Sequence, residues 1–272
     1  MLLSLAYYFA GPEDIMFFFR MIGTVVMLSS VFPVYLLAKR MLGPGGRDGK
    51  TIWIVTALTL FLPSMTNAAY CMQEVLVYPI FLWTAYFVYR EIQEGRVLRI
   101  SGDMALIAAL AAAGYFAKTM FLFLPLLYCA CMIWEACRQR CIAIWKKVAA
   151  FSGIWAILYA IGKGGILWIN GGIAGSNHYS AQFSRLFPID WRTIAAILSC
   201  IVFYLVALCF YWGVLPVVLP IADRKAYSEQ DRGFLRFLLL GILILVAEIV
   251  ISVVITEEGK VLLPHKLLYR YF

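Results

Sequence analysis

Charged side chains are scarce in this chain. Asp, Glu, Lys and Arg together make up 14% of its 272 residues, whereas apolar residues make up 64% and aromatic residues 16%. A soluble globular domain carries roughly 25% charged residues, so this composition excludes that class and indicates an integral membrane protein. Acidic residues are the rarer sign, and the formal net charge is +8.

Motifs for metal, disulfide and nucleotide chemistry are also missing. The seven cysteines form no CxxC pair, so neither a disulfide framework nor a zinc site is predicted. The two histidines, His178 and His265, are far apart in the sequence and do not indicate a metal site. Neither GxxxxGK[ST] nor GxGxxG occurs, so nucleotide hydrolysis is not indicated. No basic stretch is interleaved with aromatic residues in a soluble segment, and nucleic acid is therefore not an expected partner.

Apolar runs recur along the whole length and predict an all-α, polytopic transmembrane helix bundle of about eight spans. They form a single transmembrane domain over residues 1–272. Most runs are long enough to cross roughly 30 Å of hydrocarbon, but the second and fourth span only if they tilt or recruit flanking residues. The runs are 15–38, 51–63, 71–89, 104–117, 120–136, 148–169, 193–221 and 237–256.

Basic residues follow the predicted loops with a clear bias. Most of the 23 Lys and Arg residues fall in four loops that alternate in phase with the eight runs, so these loops are predicted to be cytoplasmic. The four groups are Lys39, Arg40, Arg47 and Lys50; Arg90, Arg96 and Arg99; Arg138, Arg140, Lys146 and Lys147; and Arg224, Lys225, Arg232 and Arg236.

The opposite, outer side carries the remaining basic residues, which the positive-inside bias disfavours there. Glu74 lies on this side too, at the mouth of an apolar run. Cations at helix ends suit the binding of a phosphate that emerges from the headgroups. The outer loop over residues 170–191 is long and rich in aromatic residues, which is typical of a functional loop. The outer cations are Arg20, Lys118, Lys163, Arg185, Arg192, Lys260, Lys266 and Arg270.

Four segments in the same order resemble one family. They are FPVYLLAKRML, LTLFLPSMTNAAYCMQEVLVYPIFLW, ALAAAGYFAKTMFLFLPLL and HKLLYRYF. Together they are similar to bacterial polytopic glycosyltransferases of the C superfamily, the polyprenyl-phosphate-sugar-dependent kind that includes mannosyl- and arabinosyltransferases. The resemblance covers most of the chain, from about residue 16 to residue 272. It implies residence in the bacterial plasma membrane as a multi-pass protein.

The resemblance also implies the site residues. Those expected to contact the lipid-phosphate donor are Arg20, Glu74, Lys118, His265 and Arg270. The family's catalytic base is an acidic residue in the first outer loop, and this chain opens at what looks like the end of that loop. The base is therefore expected upstream of Met1, and Glu13 and Asp14 are the acidic candidates inside the chain. On this interpretation the chain is a fragment that lacks the first helix and outer loop, and is inactive as truncated.

Each of these residues also has a structural interpretation. Glu74 suits a solvated carboxylate at a helix start, where the macrodipole favours negative charge by roughly 0.3–1 kcal/mol. Lys118 suits a lysine that extends from a helix end to the headgroups, and Arg270 lies between tyrosines of an aromatic belt. Arg20 suits an interhelical partner for a carboxylate or carbonyl.

Two functions follow from these patterns. The first is transfer of a sugar from a polyprenyl-phosphate donor to a glycan or protein acceptor on the extracytoplasmic side. An acidic base would deprotonate the acceptor hydroxyl while cations, with a divalent metal ion as an optional addition, stabilise the departing phosphate. The alternative is a non-enzymatic transporter or lipid-linked-sugar flippase. A transporter is expected to show broken helices in paired halves, and the sequence lacks such halves.

Overall fold

Helices form every regular element in the part of the chain that the computed structural model describes. That part comprises residues 11, 13–42, 49–69, 74–139, 142–169, 191–212 and 229–256. Its α-helices are α1 (Ile15–Leu28), α2 (Val31–Leu42), α3 (Gly49–Ala69), α4 (Glu74–Gln93), α5 (Gly102–Ala117), α6 (Phe123–Gln139), α7 (Ile142–Ile169), α8 (Trp191–Trp212) and α9 (Glu229–Thr256). Short 3-10 helices over Arg96–Leu98 and Thr119–Leu122 precede α5 and α6.

The predicted all-α class is confirmed for the described residues, which contain no strand. Each of the eight apolar runs overlaps a described helix, and the first run overlaps both α1 and α2. Two described segments, Ile15–Leu42 and Ala143–Trp168, are long and apolar enough to cross a membrane. Shorter apolar helical stretches are Gly49–Leu60, Gly102–Ala117, Phe123–Glu135 and Ile197–Val206. The count of eight spans stays a prediction.

The chain divides into two compact units. The first comprises Met1–Pro125 and Met132–Tyr159, and the second comprises Leu126–Cys131 and Ala160–Phe272. In the second unit, α8 packs against α9 through a small buried core of Cys200, Tyr204, Val246 and Val250. The candidate site residues that the structure describes all lie in the first unit.

The break between α1 and α2 has a cause in the sequence. Pro33 has no backbone N–H, and its ring would meet the carbonyl of Ser29, four residues earlier, in an unbroken helix. The chain therefore turns at Ser29 and Ser30, where the N–H of Ser30 bonds to the carbonyl of Met27 at 3.0 Å. The helical path resumes at Val31.

Helices α4 and α5 form an antiparallel pair. The turn between them passes through Gly95, whose φ of 62° lies in the left-handed region that glycine adopts readily. Ser101 then starts α5, because its hydroxyl oxygen accepts a hydrogen bond from the N–H of Met104 at 3.2 Å. Further along the pair, Gly114 of α5 lies against Ile80 of α4. These contacts fix the register between the two helices.

Helices α1 and α2 run parallel to α4. Gly23 of α1 lies against Val75 near the start of α4. At the other end, both terminal guanidinium nitrogens of Arg40 donate to Glu94 at 3.2 Å. The start of α4 therefore lies beside α1, and the turn after α4 lies beside the end of α2. We call the two ends of this unit the Lys118 end and the Lys147 end, after residues discussed below.

We expect Gly114→Ala to destabilise the protein by about 1–3 kcal/mol, the usual range for overpacking a filled core. A Cβ at this position would stand 2.5 Å from Cδ1 of the Phe121 ring, which is itself buried. The loss would appear as a lower midpoint of thermal unfolding in detergent.

Gly153→Ala is the matched control, because it also lies in a helix and a Cβ there would meet nothing within 4 Å. Helix propensity favours alanine by about 1 kcal/mol, so this variant should be neutral or stabilised. Equal midpoints for the two variants would contradict the close contact between Gly114 and Phe121.

Candidate functional site

The structure fixes the backbone of three residues that the sequence singled out. Arg20 is exposed on α1, and its carbonyl accepts a hydrogen bond from the hydroxyl of Thr24 at 2.8 Å. Glu74 is the first residue of α4. Lys118 follows the last residue of α5; its N–H donates to the carbonyl of Gly114, and its own carbonyl accepts from the N–H of Phe121, each at 2.8 Å. Its side chain is half-buried.

Helix register brings these three backbone positions to one end of the first unit. Val75, which contacts Gly23, directly follows Glu74, and Arg20 lies one turn before Gly23 on the same helix. Lys118 lies about one turn, roughly 6 Å, beyond the Gly114 position that contacts Ile80. Because α5 runs antiparallel to α4, this step leads back toward Glu74. We therefore place Arg20, Glu74 and Lys118 together at the Lys118 end.

Aromatic rings flank this end of α5. Tyr115 and Phe116, in its last turn, both pack on Tyr159 of α7, with ring centroids 5.2 and 6.0 Å apart. Trp155 stacks on Tyr159 at 5.4 Å and meets Tyr115 at 6.4 Å. The four rings hold the end of α5 against α7, and two of them, Tyr115 and Phe116, are within three residues of Lys118 in the sequence.

Charge at this end matches the helix dipoles. The start of α4 carries the partial positive charge of a helix N-terminus, and the end of α5 carries partial negative charge. Glu74 and Lys118 each have the sign that their helix end favours. This complementarity fits the structural interpretation of both residues, and it is equally compatible with a phosphate contact by Lys118.

The remaining predicted residues are less informative. Glu13 and Asp14 are exposed in the turn before α1, and the N–H of Asp14 bonds to the carbonyl of Gly11 at 3.1 Å. His265, Arg270 and most of the outer loop lie outside the described residues, so their roles stay predictions. Within the described residues, no group of three or more His, Cys, Asp or Glu side chains could hold a metal ion.

The opposite end of the same unit holds a polar cluster that the sequence reasoning missed. Its centre is Lys147 of α7, whose side chain is 0% exposed and donates to both oxygens of Glu91 at 3.0 and 2.9 Å. The third donor position of the ammonium reaches the carbonyl of Arg96 at 3.1 Å. Ser101 donates a hydrogen bond to Glu91 as well. This buried ion pair is therefore well supplied with hydrogen bonds.

Arginines extend the cluster toward its surface. Arg90 pairs with Asp103, and its Nε donates to Oδ2 at 2.8 Å. Arg96 bridges Asp103 and Glu94 at 3.7 and 2.9 Å, and Glu94 also binds Arg40. The guanidinium carbons of Arg40 and Arg90 lie 5.5 and 5.8 Å from the Tyr86 ring centroid. We define the polar cluster as Arg40, Arg90, Glu91, Glu94, Arg96, Ser101, Asp103 and Lys147.

The sequence pattern had assigned Lys147 to a cytoplasmic loop because it follows Lys146 in a basic stretch. In the structure both lysines belong to α7, and only Lys146 is exposed. One signal was present: Glu91 and Asp103 are acidic residues at the ends of apolar runs, among basic neighbours. Such acids indicate nearby cationic partners, although not which ones.

No protein-family model, curated protein or solved structure matches this chain.

Proposed function

We propose that the chain is a multi-pass membrane protein. The support is the exposed apolar surface of α7, on which Ile157, Ile161 and Trp168 expose 61, 66 and 85% of their surface. In the apolar stretch of this helix only 6% of the residues are buried. Large apolar side chains exposed along one helix are costly in water, and a lipid environment removes that cost. The eight helical runs then supply the spans, in a bacterial plasma membrane.

The orientation can be tested with single cysteines in a background without the native ones. We expect a cysteine at Gly45 to be protected from an impermeant thiol reagent added outside, because the basic loop around it is predicted to be cytoplasmic. A cysteine at Ser176 should be labelled. The reverse pattern, with Gly45 labelled and Ser176 protected, would overturn the topology.

We further propose that the protein is a glycosyltransferase that uses a polyprenyl-phosphate sugar. The observation that carries this proposal is the clustering of Arg20, Glu74 and Lys118 at one end of the first unit. Two cations beside the start of a helix provide positive charge where a lipid phosphate would lie. The buried acids of the polar cluster lie at the opposite end, where they are paired with cations. They therefore do not neutralise Arg20 or Lys118.

The proposed reaction is a displacement at the anomeric carbon of the donor sugar. The acceptor hydroxyl oxygen forms a bond to this carbon while the bond from the carbon to the phosphate oxygen breaks. The hydroxyl proton passes to a carboxylate base, and the phosphate leaves with the bonding electrons. Arg20 and Lys118 stabilise the negative charge that grows on the phosphate. The acceptor is a glycan or a protein on the outer side.

The test is binding and transfer by the full chain reconstituted in vesicles. We expect saturable binding of a polyprenyl-phosphate sugar and weaker binding of the same polyprenol without phosphate. Equal affinity for the lipids with and without phosphate would refute the proposed phosphate site. Movement of the intact donor across the bilayer without sugar transfer would instead identify a flippase.

A further inference from the structure

Four exposed cations surround the polar cluster at the Lys147 end. Lys39, Lys50, Arg99 and Lys146 are all exposed, and none forms an ion pair with a carboxylate that the structure describes. We call them the basic rim. An exposed positive charge without a carboxylate partner is available to an external anion.

The contacts of neighbouring residues place these four cations at one end of the unit. Lys39 precedes Arg40, and Lys146 precedes Lys147, so both are adjacent to residues of the polar cluster. Arg99 closes the turn before α5, where its N–H bonds to the carbonyl of Arg96 at 3.0 Å. Lys50 is the second residue of α3 and lies one turn before Trp53, whose ring centroid is 4.8 Å from that of Tyr35 on α2.

The acids of the polar cluster are already neutralised from within. Glu91 is bound by Lys147, Asp103 by Arg90 and Arg96, and Glu94 by Arg40 and Arg96. The rim therefore keeps its positive charge, and the polar cluster holds the helix ends that present it in a fixed arrangement.

Two exposed tryptophans lie beside the basic rim and indicate its level in the membrane. Trp53 and Trp145 are 56 and 50% exposed, one turn from Lys50 and next to Lys146 respectively. Exposed tryptophan beside lysine or arginine at the ends of apolar helices is typical of the level of lipid headgroups. Clusters of four or more such cations at a membrane surface attract anionic lipids.

We infer that the basic rim binds the headgroups of anionic phospholipids, and that it does so independently of the proposed sugar-donor site at the opposite end. The rim offers ammonium and guanidinium donors to the phosphodiester, while the two tryptophans lie against the glycerol region. The ligand is a lipid of the surrounding leaflet rather than a substrate.

The test is titration of the full chain in detergent with phosphatidylglycerol or phosphatidylcholine, followed by native mass spectrometry. We expect phosphatidylglycerol to bind more tightly. The triple variant Lys39→Gln, Arg99→Gln and Lys146→Gln should lower the affinity for phosphatidylglycerol by about fivefold for each cation removed. Its affinity for phosphatidylcholine should stay the same. Unchanged affinity for phosphatidylglycerol, or equal loss for both lipids, would overturn the inference.

The matched control is the double variant Arg40→Gln and Glu94→Gln, which removes a cation from the same end without changing net charge. It should retain the preference for phosphatidylglycerol; loss of the preference would refute the role of the rim. A salt titration of the unmodified chain gives a second readout, because headgroup contacts at an exposed rim weaken as ionic strength rises. A preference that is insensitive to salt would also contradict the inference.

Discussion

Alanine in place of Glu91 or of Lys147 is expected to lower the free energy of unfolding by about 3–5 kcal/mol, the range for breaking a buried ion pair. Each substitution leaves the partner charge buried, since the two side chains are 2% and 0% exposed. Loss of Lys147 also deprives the Arg96 carbonyl of its donor. The measurement is unfolding of the purified chain in mixed micelles, followed by circular dichroism.

A double variant, Glu91→Leu with Lys147→Met, separates the buried charge from the packing. It removes both charges at similar volume, so its cost should be smaller than that of either alanine variant. The surface pair provides the matched control, because Arg40 and Glu94 are each 30% exposed and such pairs contribute at most about 1 kcal/mol. If Glu94→Ala destabilises the protein as strongly as Glu91→Ala, burial of the ion pair does not explain the loss of stability.

Much of the fold could be predicted because its signal is local. Runs of apolar residues predicted the helices, and the proline rule accounts for the break before Val31, where Pro33 opposes the carbonyl of Ser29. The ion pair between Glu91 and Lys147 could not be predicted in this way. The two residues are 56 positions apart, and only the packing of α7 against the α4–α5 turn brings them together.

The sequence predicted the positions of the candidate site residues along the helices, but not the directions of their side chains. Topology alone assigned Arg20, Glu74 and Lys118 to one side, and helix register places their backbones at one end of the unit. Which of them faces a common cavity depends on side-chain directions, which apolar periodicity does not encode when a helix is apolar on all faces. The assignment of basic stretches to cytoplasmic loops failed at Lys147 because it counts every lysine, whether the side chain is exposed or buried.

Lys118→Ala should weaken the binding of a polyprenyl-phosphate sugar by about 1.5–3 kcal/mol, the range for a hydrogen bond to a charged group. This corresponds to about tenfold or more in the dissociation constant. Lys118 is half-buried, and its backbone N–H and carbonyl both form hydrogen bonds, so its main chain is held at the end of α5. Arg270→Ala should weaken the binding of the same lipid by an amount in the same range.

Lys163→Ala is the matched control for this measurement, since it is another lysine assigned to the outer side but is not implied by the resemblance. Its affinity for the donor should stay near that of the unmodified chain, whereas equal loss would indicate general surface charge. Glu13→Ala and Asp14→Ala should change binding little, because a carboxylate does not attract a phosphate. Sugar transfer that is robust in the unmodified chain but abolished by Asp14→Ala would identify Asp14 as the catalytic base.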